Sequence, residues 1–448
     1  MLCGQTKFAR YRLILLDPEK GAKLSEDFVA RPLVRNRNFV LLYSGKVVSL
    51  LGDQIYLIAL AWYILNVTHS PIAAGLLFMM GALPPVFIGP FTGVFADWFQ
   101  RRTILVAMDT ARGVLVAVLA GLLWLQAMPP WLLFIGAFLL GTFGSVFNPA
   151  SSALIPNIVV KSQYARVAAI DQFVWSVCSL IGFTAGGILF SFFGIVAVFA
   201  INALSYFVSG VLEACMRVER RLLDSRSSSR KHRHPFHAYL TDLAEGFRYL
   251  RGHSTILILF GCFTVSNFLL WPQALIYVPL FFNETLHASA GLLSVVLGSA
   301  FAGMIIGSFL IPKNPGKGIA RRILLRGWSF CAIANTCFSV ALFPLLVRHL
   351  TVNQIVACGL AYSVVLGFGL VFINVPVSVI VQKTVQDAFR GRVWAFLGSL
   401  SGAALPLAYL CGGLLARLVP LYVIYLCGGI AFFGLLMILA RLSDLLKV

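Results

Sequence analysis

Residues 72–127 have the sequence IAAGLLFMMGALPPVFIGPFTGVFADWFQRRTILVAMDTARGVLVAVLAGLLWLQA. Two long apolar runs flank a short turn that contains Asp97, Arg101 and Arg102. A helix needs about 20 mostly apolar residues to cross the roughly 30 Å hydrocarbon core of a bilayer, and each run is long enough. The stretch therefore predicts a helical hairpin that crosses a membrane twice, with its charged turn at one membrane face.

The whole chain has the composition of a membrane protein. Its 448 residues are 59% hydrophobic and 11% charged, and the mean hydropathy is +0.90. Soluble domains carry about 25% charged residues, so this chain has too little polar surface to cover a globule in water. The formal net charge of +19 could indicate nucleic-acid binding, but nearly every basic residue lies in a short gap between apolar runs. That distribution indicates membrane topology and no nucleic-acid partner.

Twelve apolar segments have the length of membrane helices. They are residues 38–66, 72–96, 103–127, 131–156, 167–192, 195–215, 255–283, 288–312, 323–347, 353–382, 391–416 and 419–440. The predicted fold class is therefore an all-α membrane protein with twelve transmembrane helices. A linker at 216–254 divides them into two six-helix bundles, at 38–215 and 255–440. Tails are predicted at 1–37 and 441–448.

The linker has two parts of different composition. The first part is polar, rich in serine and basic, which is typical of a flexible linker. The second part, FHAYLTDLAEGFRYLRG at residues 236–252, carries Phe, Tyr and Leu at helical spacing. This pattern predicts an amphipathic helix along the membrane surface.

The basic residues also predict the orientation. The gaps on the same side as the linker and the two tails contain most of the lysines and arginines, whereas the opposite gaps contain only Arg348 and Arg417. Cytoplasmic loops are enriched in basic residues, so both termini are predicted to be cytoplasmic. The first 34 residues contain no apolar run typical of a cleavable signal peptide.

The two bundles show an internal repeat. Asn148 and Asn374 are 226 residues apart, and Arg166 and Arg392 have the same separation. Repeated halves predict a transporter whose substrate pathway runs between them.

The turn between the second and third spans resembles the signature loop of the major facilitator superfamily, in which a glycine and an aspartate precede basic residues. Here Gly93 and Asp97 are followed by Arg101 and Arg102. The resemblance implies that Gly93 allows close helix packing and that Asp97 interacts with a helix N-terminus across the bundle interface. The arginines would hold the loop at the cytoplasmic face. An ordinary turn with cytoplasmic arginines is the alternative.

Further stretches resemble the macrolide-efflux branch of drug–proton antiporters. They are RNFVLLYSGKVVSLLGDQIYLIALAWYIL at 37–65, LPPVFIGPFTGVFADWFQRR at 83–102, FNPASSALIP at 147–156 and FRGRVWAFLGS at 389–399. The resemblance implies a major facilitator fold of two pseudo-repeated six-helix bundles. It also implies an antiporter of the bacterial inner (plasma) membrane that exports a small amphipathic substrate and uses protons as the coupling ion. We expect it to be a monomer in the lipid bilayer.

Ionisable residues inside membrane spans are energetically costly, so each one is a candidate site residue. Asp53 lies near the middle of the first span and is interpreted as a proton-coupling or cation-recognition group. A structural, hydrogen-bonded aspartate is the alternative. Asp109 and Arg112, at positions i and i+3 of the third span, are expected to form a structural or gating ion pair, with substrate contact as the alternative. Three charged residues nearer to span ends are expected at the membrane interface: Lys46, Asp171 and Glu213.

Uncharged polar and aromatic side chains complete the predicted cavity between the halves. With Asp53, the candidates are Gln54, Tyr56, Trp62, Asn148, Asn267, Gln273, Tyr277 and Asn374. Asn148 precedes a proline and Asn374 lies two residues before one, so helix bending is an alternative explanation for both. Core packing is the alternative for the aromatic residues.

The sequence contains no nucleophile–base arrangement, no metal-ligand cluster and no GxxxxGK[ST] nucleotide-binding motif. We therefore predict a protein that is not an enzyme and has no metal or cofactor. The leading prediction is a secondary active transporter, a proton-coupled exporter of amphipathic or drug-like molecules that works by alternating access. The alternatives are a lysophospholipid or lipid flippase of the same fold and a non-transporting membrane sensor.

Overall fold

A computed structural model describes the chain from Pro32 to Arg441. Within that range it does not describe residues 99, 218–240, 242–243, 246, 249 and 313–317, nor the side chains of 90–98, 161, 165, 383, 387–388, 390–392 and 394–395. Residues 1–31 of the predicted N-terminal tail and residues 442–448 of the C-terminal tail lie outside the described residues. The described part is almost entirely helical and contains no β-strand.

The N-terminal half (N-half) contains six membrane-crossing helices. They are α1 (Arg37–Thr68), α2 (Pro71–Trp98), α3 (Arg101–Trp124), α4 (Pro130–Ile158) and a segment Tyr164–Ala214, which Gly194 divides into α5 (164–193) and α6 (195–214). Proline at the first position of α4 supports the start of that helix, because its fixed φ suits the first helical turn.

The C-terminal half (C-half) repeats this arrangement. Its helices are α7 (Ser254–Thr285), α8 (Ala290–Phe309), α9 (Ile319–Ala341), α10 (Val352–Thr384), α11 (Asp387–Leu418) and α12 (Leu421–Ala440). Helix α7 contains two π-helical turns, at Gln273–Tyr277 and Phe281–Thr285. The N-terminus of α10 is closed by a capping box between Thr351 and Gln354.

The number of membrane crossings agrees with the sequence prediction. Eleven helical segments of the described chain are long and apolar enough to cross a bilayer. One of them, Arg166–Ala214, has 49 residues. At 1.5 Å per residue it is about 74 Å long, more than twice the hydrocarbon thickness, so it supplies two crossings. The prediction of twelve transmembrane helices is confirmed, and the chain is an integral membrane protein.

Gly194 makes the turn between α5 and α6. Its φ of 73° and ψ of 179° belong to a backbone region that is essentially restricted to glycine. We therefore expect Gly194→Ala to lower the free energy of unfolding by about 1–3 kcal/mol, measured by thermal unfolding of the purified protein in detergent. Gly121→Ala is the matched control, because Gly121 is helical and has open space where a methyl group would lie. Equal melting temperatures for the two variants would contradict this account of the turn.

The two halves meet along two helix pairs, α2 with α11 and α5 with α8. We call the end of the bundle that carries the linker and the first residues of α1 the basic end, and the other end the opposite end. Within the N-half, α1 packs against α5 and α6, and α3 packs against α4 and α6. These contacts place α1, α3 and α6 around one shared interior.

Hydrogen bonds between the halves close the opposite end. The Gly187 amide donates to Ser294 Oγ at 2.7 Å, and the Gly291 amide donates to Ser191 Oγ at 3.1 Å. The last turns of α1 and α7 are joined by Asn283, whose Nδ2 donates to Asn66 Oδ1 at 2.8 Å. These three hydrogen bonds between the halves all lie at this end.

Only part of the linker lies among the described residues. Residues 241, 244–245, 247–248 and 250–251 are helical. The Phe247 ring lies 5.8 Å from the Phe396 ring of α11, and Leu250 is fully buried. The position of this segment on a membrane surface stays a prediction.

Candidate functional site

Asp53 is half-buried, and its carboxylate is directed into the N-half. Its carboxylate accepts a hydrogen bond from the Tyr206 hydroxyl of α6. Gly52 packs so closely on α6 that a methyl group there would lie 2.2 Å from Ser205 Oγ. Asp53 is thus directed towards α3 and α6, whereas the sequence analysis placed it in a cavity facing the C-half.

The predicted pair of Asp109 and Arg112 is present. The Arg112 guanidinium donates to Asp109 one turn earlier in α3, and both side chains are buried. The guanidinium carbon also lies 4.2 Å from the centre of the Phe147 ring and 4.8 Å from the centre of the Tyr206 ring. Both distances are typical of cation–π contacts. Tyr206 therefore connects the Asp53 carboxylate to the Arg112 cation.

A third carboxyl group lies in the same interior. Glu213, near the end of α6, is fully buried, and neither carboxyl oxygen has a hydrogen-bond partner among the described residues. The sequence analysis expected Glu213 at the membrane interface; the structure shows that its side chain is buried between helices near the end of α6. Arg112 interacts electrostatically with Asp53, Asp109 and Glu213. We call Asp53, Asp109, Arg112, Tyr206 and Glu213 the acidic cluster.

The other two charged residues assigned to the interface pair with each other. Lys46 Nζ of α1 lies 2.5 Å from the Asp171 carboxylate of α5, and each side chain is about one third exposed. The Lys46 ammonium also lies 5.6 Å from the centre of the Tyr43 ring. This partly exposed pair is separate from the acidic cluster.

The predicted cavity residues Gln54, Tyr56 and Trp62 of α1 are buried, and the first two pack against helices of the N-half. Gln54 is buried, and its amide donates to Ser179 Oγ of α5 at 3.0 Å. The Tyr56 ring packs edge-on against Phe199 of α6, with ring centres 4.7 Å apart. Trp62 belongs to the buried hydrophobic core.

The predicted residues of α7 lie inside the C-half. Gln273 donates to Asn335 Oδ1 at 2.9 Å and accepts from the Tyr362 hydroxyl at 2.5 Å. Tyr277 is buried against Tyr425. Asn267 is half-buried and accepts a hydrogen bond from Trp271 in the next turn of α7.

Asn148 and Asn374 differ from this pattern, because both are exposed. They occupy equivalent positions of α4 and α10 in the repeat. The predicted set is therefore not gathered in one pocket.

A separate cavity of about 240 Å³ lies between α8, α9 and α10 near the basic end and contains none of the predicted residues. Its lining consists of Ser308, Ile311, Pro312, Ala320, Ile323, Val375, Pro376 and Val379.

The arginines of the signature loop attach the start of α3 to two other helices. Arg101 donates to the Ala153 carbonyl of α4. Arg102 donates to the carbonyls of Glu213, at 3.3 Å, and of Ala214. Cations favour the C-terminal end of a helix, so Arg102 stabilises the end of α6. Gly93 and Asp97 lie in α2, but the surroundings of Gly93 and the side chain of Asp97 are outside the described part of the structure, and the roles of both residues stay predictions.

Sequence analysis overlooked Tyr206 and expected Glu213 at the membrane interface, outside this site. They form one polar face of α6 together with Ser209, because positions i, i+3 and i+7 lie on the same side of a helix. That spacing was visible in the sequence. Among the described residues, no group of three or more His, Cys, Asp or Glu side chains could hold a metal ion.

Twelve membrane-crossing helices in two halves, joined at one closed end, define a polytopic membrane transporter. The sequence profile of the Major Facilitator Superfamily matches residues 42–386, and the chain belongs to this superfamily. It is a transporter rather than an enzyme, and its relatives include efflux pumps.

Comparison with individual proteins supports the same class. The chain is 22% identical to macrolide efflux protein A of Streptococcus pyogenes over 92% of its own length and 97% of that protein. It is 22% identical to the multidrug efflux pump Tap of Mycolicibacterium fortuitum over 84% of its length and 88% of that protein. Among solved structures, a D-xylose–proton symporter superposes with a TM-score of 0.67 at 16% identity, covering 90% of this chain and 97% of the symporter. The last likeness concerns the fold.

Proposed function

We propose that this transporter is a proton-coupled exporter of amphipathic or drug-like small molecules. It works by alternating access in a bacterial inner membrane, with the basic end and both termini in the cytoplasm. The names of two full-length relatives support export, and the asymmetry of basic residues between the two ends supports the orientation.

The hydrogen bond between Asp53 and Tyr206 carries the proposal of proton coupling. An ionised carboxylate accepts a stronger hydrogen bond from a hydroxyl group than a neutral carboxylic acid does. Binding of a proton to Asp53 therefore weakens the contact between α1 and α6. It also removes one of the negative charges that interact with Arg112.

Helix α1 connects proton binding at Asp53 to the opening of the transporter. The same helix carries Asp53 near its middle and Asn66 near its end, where Asn66 accepts the hydrogen bond from Asn283 of the C-half. A shift of α1 against α6 changes the geometry of that closing contact. A proton bound inside the N-half can thereby favour one of the two end states of the transport cycle.

The substrate is proposed to bind between the halves. Asn148 and Asn374 would bind its polar part, because they are exposed amides at repeat-related positions of α4 and α10. An uncharged site of this kind suits a molecule with a large apolar surface and few polar groups.

The proposed coupling is tested by transport into inverted membrane vesicles with an acidic lumen, using a macrolide and a fluorescent amphipathic dye as substrates. Asp53→Asn is expected to lose uptake driven by the pH gradient, because an amide cannot bind the coupling proton. Exchange of labelled for unlabelled substrate without a gradient is expected to persist.

Asp171→Asn is the matched control, since it makes the same chemical change in the partly exposed pair with Lys46. It is expected to keep gradient-driven uptake. Full gradient-driven uptake by Asp53→Asn would reject the coupling role of Asp53.

A further inference from the structure

Glu213 is an unusual group for the interior of a membrane protein. It is fully buried, and both carboxyl oxygens are without hydrogen-bond partners among the described residues. A buried, ionised carboxylate without a partner is very costly, because the surroundings replace none of the interactions it loses with water. A protonated carboxylic acid carries no charge and can be accommodated at much lower cost.

The charges around Glu213 do not balance if every group is ionised. The charged groups that act on Glu213 are Asp109 and Arg112 of α3, and Arg112 also interacts with Asp53 of α1 and Tyr206 of α6. Arg102 of α3 donates to the backbone carbonyls of Glu213 and Ala214. Arg112 already donates to Asp109, and Lys46 of α1 is paired with Asp171. One guanidinium therefore faces three carboxyl groups.

Two further polar side chains lie in the same interior. Asp109 and Ser209 are both buried, and the Ser209 hydroxyl interacts with the Asp109 carboxylate. Ser209 lies between Tyr206 and Glu213 on the polar face of α6. The polar face of α6 thus borders the buried pair of Asp109 and Arg112.

We propose that Glu213 is a second proton-binding group of the transporter and that Arg112 couples it to Asp53. The proposal rests on the proposed function for its role in transport. The bound proton converts the Glu213 carboxylate into a neutral carboxylic acid and is released again as the carboxylate re-forms. Because both acids interact with Arg112, loss of a proton from one makes proton binding at the other more favourable.

The two acids lie at different depths. Tyr206, at the level of Asp53, and Glu213 are seven residues apart on α6, which corresponds to about 10 Å along the helix axis. Glu213 is the one nearer to the basic end, beside the backbone carbonyls that Arg102 binds. The two proposed proton-binding groups therefore lie one above the other between α1, α3 and α6.

Infrared spectroscopy of the purified protein in lipid nanodiscs tests this inference without substrate or gradient. At about pH 8, where a water-exposed glutamate is ionised, we expect the carbonyl stretch of roughly one protonated glutamic acid per protein. The band should shift in protein produced with carbon-13-labelled glutamate, which separates glutamate from aspartate. It should be absent in Glu213→Gln.

Glu284→Gln is the matched control, because Glu284 is exposed at the opposite end. It should keep the band. The absence of a glutamic acid band from the wild type, or its persistence in Glu213→Gln, would overturn the proposal. The labelled wild type alone can overturn the proposal, by showing no glutamic acid band, even if the Gln variant fails to fold. Since no transport is measured, the result is independent of the outcome for Asp53→Asn.

Discussion

Arg112→Met is expected to lower the free energy of unfolding by about 3–5 kcal/mol, the usual cost of removing one partner from a buried ion pair. Arg112 donates to Asp109, and its guanidinium also lies over the rings of Phe147 and Tyr206. Methionine fills much of the same volume but leaves the carboxyl groups without a cation. Thermal and chemical unfolding of the purified protein in detergent measures the loss.

Two variants separate this effect from a general intolerance of substitution. Lys46→Met removes a cation from a pair that is about one third exposed, so a cost of about 0–1 kcal/mol is expected. In the Asp109→Asn/Arg112→Met double variant both charges of the buried pair are gone, and part of the lost stability should return. If Arg112→Met lowers the free energy of unfolding no more than Lys46→Met does, the guanidinium of Arg112 does not stabilise the acidic cluster.

The sequence was sufficient for features that depend on local spacing. The apolar lengths predicted twelve spans, and the gap between residues 192 and 195 contains Gly194, which makes the turn from α5 to α6. The pair of Asp109 and Arg112 was also predictable, because residues three apart on a helix are neighbours whatever the rest of the fold does.

Contacts between helices could not be predicted in the same way. Asp53 and Tyr206 are 153 residues apart, and nothing in their spacing shows that they meet. Membrane helices are apolar on most sides, so the pattern of a single helix does not show which side faces its own half. For that reason Gln54, Tyr56 and Trp62 were assigned to a cavity, whereas the structure packs Gln54 and Tyr56 against α5 and α6 and buries Trp62 in the hydrophobic core.

At the closed opposite end, α5 and α8 leave no room for a side chain at Gly187. A methyl group at Gly187 would lie 2.0 Å from the Ala290 carbonyl oxygen and 2.1 Å from Ser294 Oγ. The first of these atoms belongs to the backbone and cannot rotate away, so α5 and α8 must separate. Gly187→Ala is therefore expected to prevent closure of the opposite end and to abolish transport, since alternating access needs both end states.

Closure is measured by cross-linking Asn66→Cys to Asn283→Cys in a chain without its native cysteines, because these two side chains meet across the halves at 2.8 Å. Gly291→Ala is the matched control from the same interface, where a methyl group would lie 3.7 Å from Ser191 Oγ, an ordinary contact. It should cross-link and transport as the parent does, while Gly187→Ala does neither. Full cross-linking of Gly187→Ala would show that α5 and α8 tolerate the added methyl group in the closed state. Full transport without cross-linking would show that the cycle does not pass through this closure, and alternating access about the pair of α5 and α8 would then have to be abandoned.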